Sequence, residues 1–373
     1  MNILNYLKRN SIFLLLKILN KKFILTEFKL IKWNKIYKSI IVFLYSKTDF
    51  TSKVIILKGH TDSISSLAFS PKYPIIATGS PDKTAILFNI DYNNKNTFGS
   101  ILKILSGHSS SVNSITFSCN GDYLATGSWD GQIIIHNSNP TNEEFGIIKT
   151  RVRRPTGSIY NIIYSPSGKE LAVGGFDGET SIYGVNPLNE KVYRKQIIRL
   201  SGHKKWIYSI SFSPDGLRIV TGGFDNFAII HSLSSNENKD KIFLKEPKGV
   251  IYVVLYSLSG NFIACGSEDK CVYLYNGIDK KDILGLLLTK ISNHKSIVRS
   301  ICFSLDESII ITGGEDKLLI TNKLKFANSV YKGISITTYK EFKQNGFVNS
   351  LKISNNGEIL AVGLSDYTSI LYC

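Results

Sequence analysis

From residue 53 onward, apolar residues fall in short runs, many alternating with polar ones, and each run ends in Gly, Asn, Asp, Ser or Pro. Ser65 to Phe69, Ile75 to Thr78 and Thr84 to Phe88 are three such segments, rich in β-branched and aromatic residues, and Ile101 to Leu105 is a fourth. The runs are too short for helices and carry strand periodicity, so the pattern predicts an all-β chain.

The same four-strand unit recurs. It begins near a Gly-His pair, runs through an apolar strand ending in Phe-Ser, and turns at Gly or Asn. A second strand follows, ending in Thr-Gly-Ser or a relative of it. An Asp in a tight turn and a third apolar strand complete the unit. The turn aspartates are Asp82, Asp130, Asp177, Asp225, Asp269, Asp316 and Asp366, about 47 residues apart, a period typical of propeller blades. A single four-stranded sheet has two apolar faces and cannot bury both, so copies must stack around an axis. The predicted fold is a seven-bladed β-propeller of four-stranded antiparallel blades over residues 53–373. The last copy ends after its third strand, Ser369 to Tyr372, while Lys53 to Leu57 precedes the first copy with no earlier blade to join. That stretch is predicted to pair with the last blade and close the ring.

These motifs resemble the WD-repeat β-propeller family. Gly-His stands at Gly59-His60, Gly107-His108 and Gly202-His203, with Asn293-His294 as a weaker form, and is absent from the third, fifth and seventh copies. No copy carries Trp-Asp at the end of its third strand; the tryptophan position holds Phe88, His136, Tyr183, His231, Tyr275, Asn322 and Tyr372. The resemblance implies a structural set in each blade, joining the histidine (His60, His108, His203, His294), a second-strand Thr and the turn Asp. Copies with the histidine also have Thr78, Thr126, Thr221 or Thr312; copies without it have Val173, Cys265 or Val362 and a third-strand Tyr. Losing donor and acceptor together avoids an unpaired buried polar group.

The formal charge of +16 is concentrated at one end: residues 1–50 hold ten Lys and Arg against Glu27 and Asp49. The remainder is mildly basic, which does not by itself mark a phosphate binder. In residues 1–52 the apolar runs Ile12 to Leu16 and Ile40 to Tyr45 are broken by lysines and are too short to span a bilayer. A targeting segment, a membrane-surface arm and a mobile basic arm remain open for this extension. Met1 is the only methionine, so no internal start could supply Lys53 to Leu57, and the extension is expected to be translated. Five unpaired-looking cysteines, Cys119, Cys265, Cys271, Cys302 and Cys373, fit reduced thiols and a cytoplasmic or nuclear setting.

Catalysis finds little support. All six histidines are absorbed by the repeat, four beside the turn Asp and His136 and His231 at tryptophan positions. A contact that recurs blade after blade is architecture, whereas a catalytic constellation is unique. No Cys/His spacing suits a metal and no phosphate-loop motif occurs, so no enzyme activity, metal, cofactor or small-molecule substrate is expected.

The resemblance implies that the loops entering first strands share one rim with the turns between second and third strands. Before the turn aspartates stand Pro81, Trp129, Phe176, Phe224, Glu268, Glu315 and Ser365, three of them large aromatics on consecutive blades. Trp206, Tyr160, Tyr208 and Tyr252 lie near first-strand starts, with Arg153 and Arg154 read as the loop entering the third blade. These nine aromatic and arginine residues are the expected partner-binding set, of hot-spot composition, for another protein or peptide in a multiprotein complex. The alternative is an RNA-contacting subunit of an RNA-processing ribonucleoprotein assembly, with rings stacking on unpaired bases.

Overall fold

The computed structural model describes residues 53–373 except 95, 155–156, 186–192, 234–240, 281 and 327–333; the expectations for residues 1–52 fall outside the described residues. The strands form seven four-stranded antiparallel sheets, each built from consecutive strands except the last. In that sheet Val54–Leu57 lies against Ser369–Tyr372, with Val54 opposite Tyr372 and Leu57 opposite Ser369. The backbone N–H of Cys373 donates to Lys53 O at 3.0 Å, extending the seam by one residue. The ring is therefore closed by a strand from before the first repeat.

Burial explains the sequence pattern. Second strands such as Ile75–Gly79 and Phe262–Ser267 are buried along their whole length, because neighbouring blades cover both faces. The outer strand Ile101–Leu105 is mostly exposed. The core lies between blades: Ile64, Leu67, Ile76 and Phe88 of the first blade pack with Leu57, Ile359, Ala361 and Leu371 of the last blade.

Near the end of each second strand a glycine stands where the next blade leaves little room for a side chain. A Cβ on Gly127 would stand 2.7 Å from Ile162 Cγ2, and one on Gly313 would stand 2.2 Å from Val348 Cγ1. The Thr-Gly-Ser and Gly-Gly motifs thus set blade spacing.

First strands line the axis, and their inner edges would otherwise present bare backbone groups. Side chains of the preceding blade meet that need. Ser114 Oγ accepts from Ile162 N at 3.1 Å, Ser209 Oγ accepts from Val254 N at 3.0 Å, and Asn113 Nδ2 donates to Ile159 O at 2.8 Å. Across the closing seam Asn349 Nδ2 donates to Ile64 O at 3.0 Å.

Candidate interaction site

In four blades a histidine, a threonine and the turn aspartate form one buried set. His60 Nδ1 lies 2.7 Å from Asp82 Oδ2 and its Nε2 lies 2.8 Å from Thr78 Oγ1. The matching pairs are His108 with Asp130 and Thr126 (3.0 and 2.8 Å) and His203 with Asp225 and Thr221 (2.8 and 2.9 Å). His294 joins Asp316 and Thr312 at 3.0 and 2.8 Å. Because a carboxylate can only accept, Nδ1 carries the proton and Nε2 is left to accept from the threonine hydroxyl. The aspartate also accepts backbone N–H groups, from Thr61 at 3.1 Å in the first blade and Ser109 at 2.9 Å in the second, which pins the loop entering each blade.

The other three blades substitute rather than merely delete. In the seventh, Gln344 Oε1 accepts from the Tyr372 hydroxyl at 3.0 Å, and in the fifth Glu246 Oε2 accepts from Tyr275 at 3.0 Å. Asp269 accepts from Lys248 N at 2.8 Å and from the Tyr273 hydroxyl at 2.7 Å, and Asp366 caps its own turn through Thr368 N at 3.2 Å. In the third blade Arg154 donates to Asp177 Oδ1 at 2.7 Å and to Glu179 O at 2.6 Å.

That last contact corrects the expectation for Arg154. It is not a rim residue: it is 2% exposed and serves as the third blade's counterpart of the histidine. Arg153 is also placed differently from expectation. It is the exposed end of Ile148–Arg153, the outermost strand of the second blade, opposite Gln132, rather than part of a connecting loop.

The seven expected aromatics do come together. Trp129 meets Tyr160 edge-on at 6.0 Å between ring centroids, and Tyr160 meets Tyr208 at 4.8 Å and Trp206 at 6.0 Å. Phe176 stacks on Trp206 at 4.6 Å, Phe224 meets Trp206 at 5.1 Å, and Tyr252 meets Tyr208 at 4.9 Å. The result is one continuous platform across blades two to five. Trp129 is 47% and Phe176 51% exposed, while the other five rings are half-buried, so the platform offers ring surface to solvent. Burial raises the pKa of Tyr160 and Tyr252 and pushes Tyr208 up to about 12, keeping these hydroxyls neutral.

The geometry of the first strands creates this platform. In six blades the strand register slips by one residue at its start, a β-bulge whose extra residue is Asn113, Tyr160, Tyr208, Tyr252, Arg299 or Asn349. A bulge turns its extra side chain away from the alternation of the strand, here toward the mouth of the axis. Arg299 was missed by sequence reasoning, although it occupies the register position of the three tyrosines. Its guanidinium lies 4.9 Å from the Tyr252 ring, and its Nε donates to Glu315 Oε1 at 2.7 Å. Lys205, also missed, lies over Phe224 at 5.1 Å. Its position directly before Trp206 was the available signal.

Below the platform runs an axial cavity of about 870 Å³ lined by first strands of all seven blades. Among the described residues no group of three His, Cys, Asp or Glu could hold a metal ion, and no helix is long and apolar enough to cross a membrane. None of the five cysteines forms a disulfide, and burial pushes the Cys302 thiol up to about 12, far from reactive thiolate chemistry.

A closed ring of seven four-stranded blades with an aromatic mouth defines the class as a β-propeller. The family model for the WD domain, G-beta repeat, matches residues 51–89, 99–137, 194–232, 241–276 and 285–320, together about half of the chain. The chain belongs to the WD40 repeat family. The unmatched third and seventh blades are two of the three that lack the histidine. Comparison with curated proteins found no match.

Proposed function

We propose that the protein is a non-catalytic interaction scaffold that holds a partner protein on the ring platform of blades two to five. The observation that carries this reading is the contiguity of seven aromatic rings, two of them about half exposed, around the mouth of the axis. Trp and Tyr supply large contact area at low entropic cost, and a cluster of them with an ion-paired Arg at its edge has the make-up of a binding hot spot. The rest of the blade is already spoken for, since the His, Asp and Thr groups are locked in structural hydrogen bonds.

Affinity purification from native extract at moderate salt, with and without ribonuclease, tests this. Defined protein subunits that stay bound after ribonuclease are the expected result. Their loss on ribonuclease treatment would replace the scaffold reading with RNA contact, which would also weaken steeply with salt.

A further inference from the structure

Among the described residues that line the axial cavity only two are charged, Arg299 and Lys352, and none is an acid. Arg299 is neutralised at the mouth by Glu315. Lys352 is not: no carboxylate pairs with it among the described residues. It sits in Val348–Ile353, three residues past the bulged Asn349 and so about 10 Å further along the axis. The same register position in the other blades holds Ala68, Thr116, Ile163, Ser211, Leu255 and Cys302, all uncharged. The remaining wall is rich in Ser and Asn groups, many of them already bonded to neighbouring strands. One unpaired cation on the wall of a protein-lined cavity biases its potential toward positive. The walls also hold the Lys352 pKa below the ordinary lysine value, with Cys302 acting weakly in the opposite sense. Lys352 is nevertheless exposed on that wall, so its ammonium is open to a ligand that enters the cavity, and its counter-charge is missing.

We propose that the axial cavity receives an acidic, extended segment of the protein partner, whose Asp or Glu carboxylate pairs with Lys352 while flanking apolar residues rest on the ring platform. An extended chain rises about 3.3 Å per residue, so roughly three residues span the depth from the platform to Lys352. The assignment rests on the scaffold reading, because it uses the rings as the outer half of one site. It adds the charge of the partner and the residue that selects it.

The test uses the full chain and three immobilised peptide libraries, degenerate except at a central position fixed as Glu, Gln or Lys. Wild type should retain the Glu library about tenfold or more over the other two. Lys352→Met should erase that preference and Lys352→Glu should shift it to the Lys library, with melting temperatures unchanged. Trp129→Ala with Phe224→Ala should lower retention of all three libraries together. No preference for Glu in wild type, or a preference that survives Lys352→Met, would overturn the channel assignment. Full retention by the ring variant would instead overturn the platform reading. Retention of none of the libraries by wild type would contradict both.

Discussion

In the third blade Arg154 Nη2 lies 2.7 Å from Asp177 Oδ1, on the turn aspartate that a histidine holds in four other blades. The guanidinium is fully buried, and its Nε and Nη1 find no acceptor among the described residues. Burial lowers the Arg154 pKa, against the pull of Asp177, Tyr183 and Glu179. Removing the guanidinium takes away its bonds to Asp177 and to Glu179 O, and Asp177 keeps some water at 20% side-chain exposure. Arg154→Ala should therefore cost about 2 kcal/mol, somewhat below the roughly 3–5 kcal/mol for a fully buried pair because Asp177 stays partly solvated. Thermal or urea unfolding reads this directly. If the variant is as stable as wild type, Arg154 does not hold the blade.

The second blade offers a cleaner measure of the structural set. Asp130 accepts from His108 Nδ1 at 3.0 Å, from Ser109 N at 2.9 Å and from Gln132 N at 2.8 Å. Asp130→Ala orphans these donors and should destabilise by about 1–3 kcal/mol. A melting temperature equal to that of wild type would contradict the assigned role.

Ring closure predicts that a residue distant in sequence from the last blade behaves as part of its core. Leu57 is 2% exposed and packs against Leu371 and Phe88. Leu57→Ala should cost about 2–5 kcal/mol, as for a core leucine. A cost below about 1 kcal/mol, the size of an ordinary surface change, would mean that the seam does not close the ring.

Acid should weaken the fold in a defined window. Burial lowers the His136 pKa to about 4 and that of His231 to about 3. Both are neutral in the folded protein, while in the unfolded chain they gain protons near pH 6.5. Between about 6.5 and those lower values the unfolded state binds more protons, so stability falls as pH drops through the window and is flat above it. The turn aspartates add to this further down. At Asp82, burial alone would raise the pKa, but bonds from Thr84, His60 and Thr61 N outweigh it and hold the carboxyl below its usual value. Its stabilisation is lost as pH falls through that depressed value. Replacing both His136 and His231 by Phe, the residue the first blade has as Phe88, should make the melting-temperature profile between pH 6.5 and 4 less steep, the remaining slope coming in part from His108 and His294, whose pKa values burial also lowers. An unchanged profile would show that these histidines are not the acid-sensitive groups.

The repeat made most of the fold legible. Turn aspartates at a near-constant spacing fixed the blade number, and an orphan strand at Lys53 to Leu57 beside an incomplete last copy fixed the closure. The aromatic platform was legible for the same reason, since Tyr160, Tyr208 and Tyr252 recur at one point of the repeat. Arg299 shares that point, but the β-bulge that turns these side chains toward the axis leaves no compositional mark. Arg153 and Arg154 looked like one charged loop because neighbouring basic residues usually share solvent. Here one faces outward at a strand end and the other turns inward. Arg154 also stands 23 residues before Asp177, where each histidine stands 22 before its aspartate, so strict register hid it. Glu246, the partner of Tyr275, likewise stands 23 residues before Asp269, whereas Gln344, the partner of Tyr372, stands 22 before Asp366 in the histidine's own register and was hidden only by its residue type.

The most direct test of the central claim is partner recovery by a chain carrying Trp129→Ala and Phe224→Ala, measured beside its melting temperature. Surface rings that bind a partner predict subunit recovery reduced about tenfold or more, as for hot-spot aromatics, with a melting temperature close to wild type. Undiminished recovery would contradict the platform as the binding surface, and a collapsed melting temperature would show that these rings belong to the core.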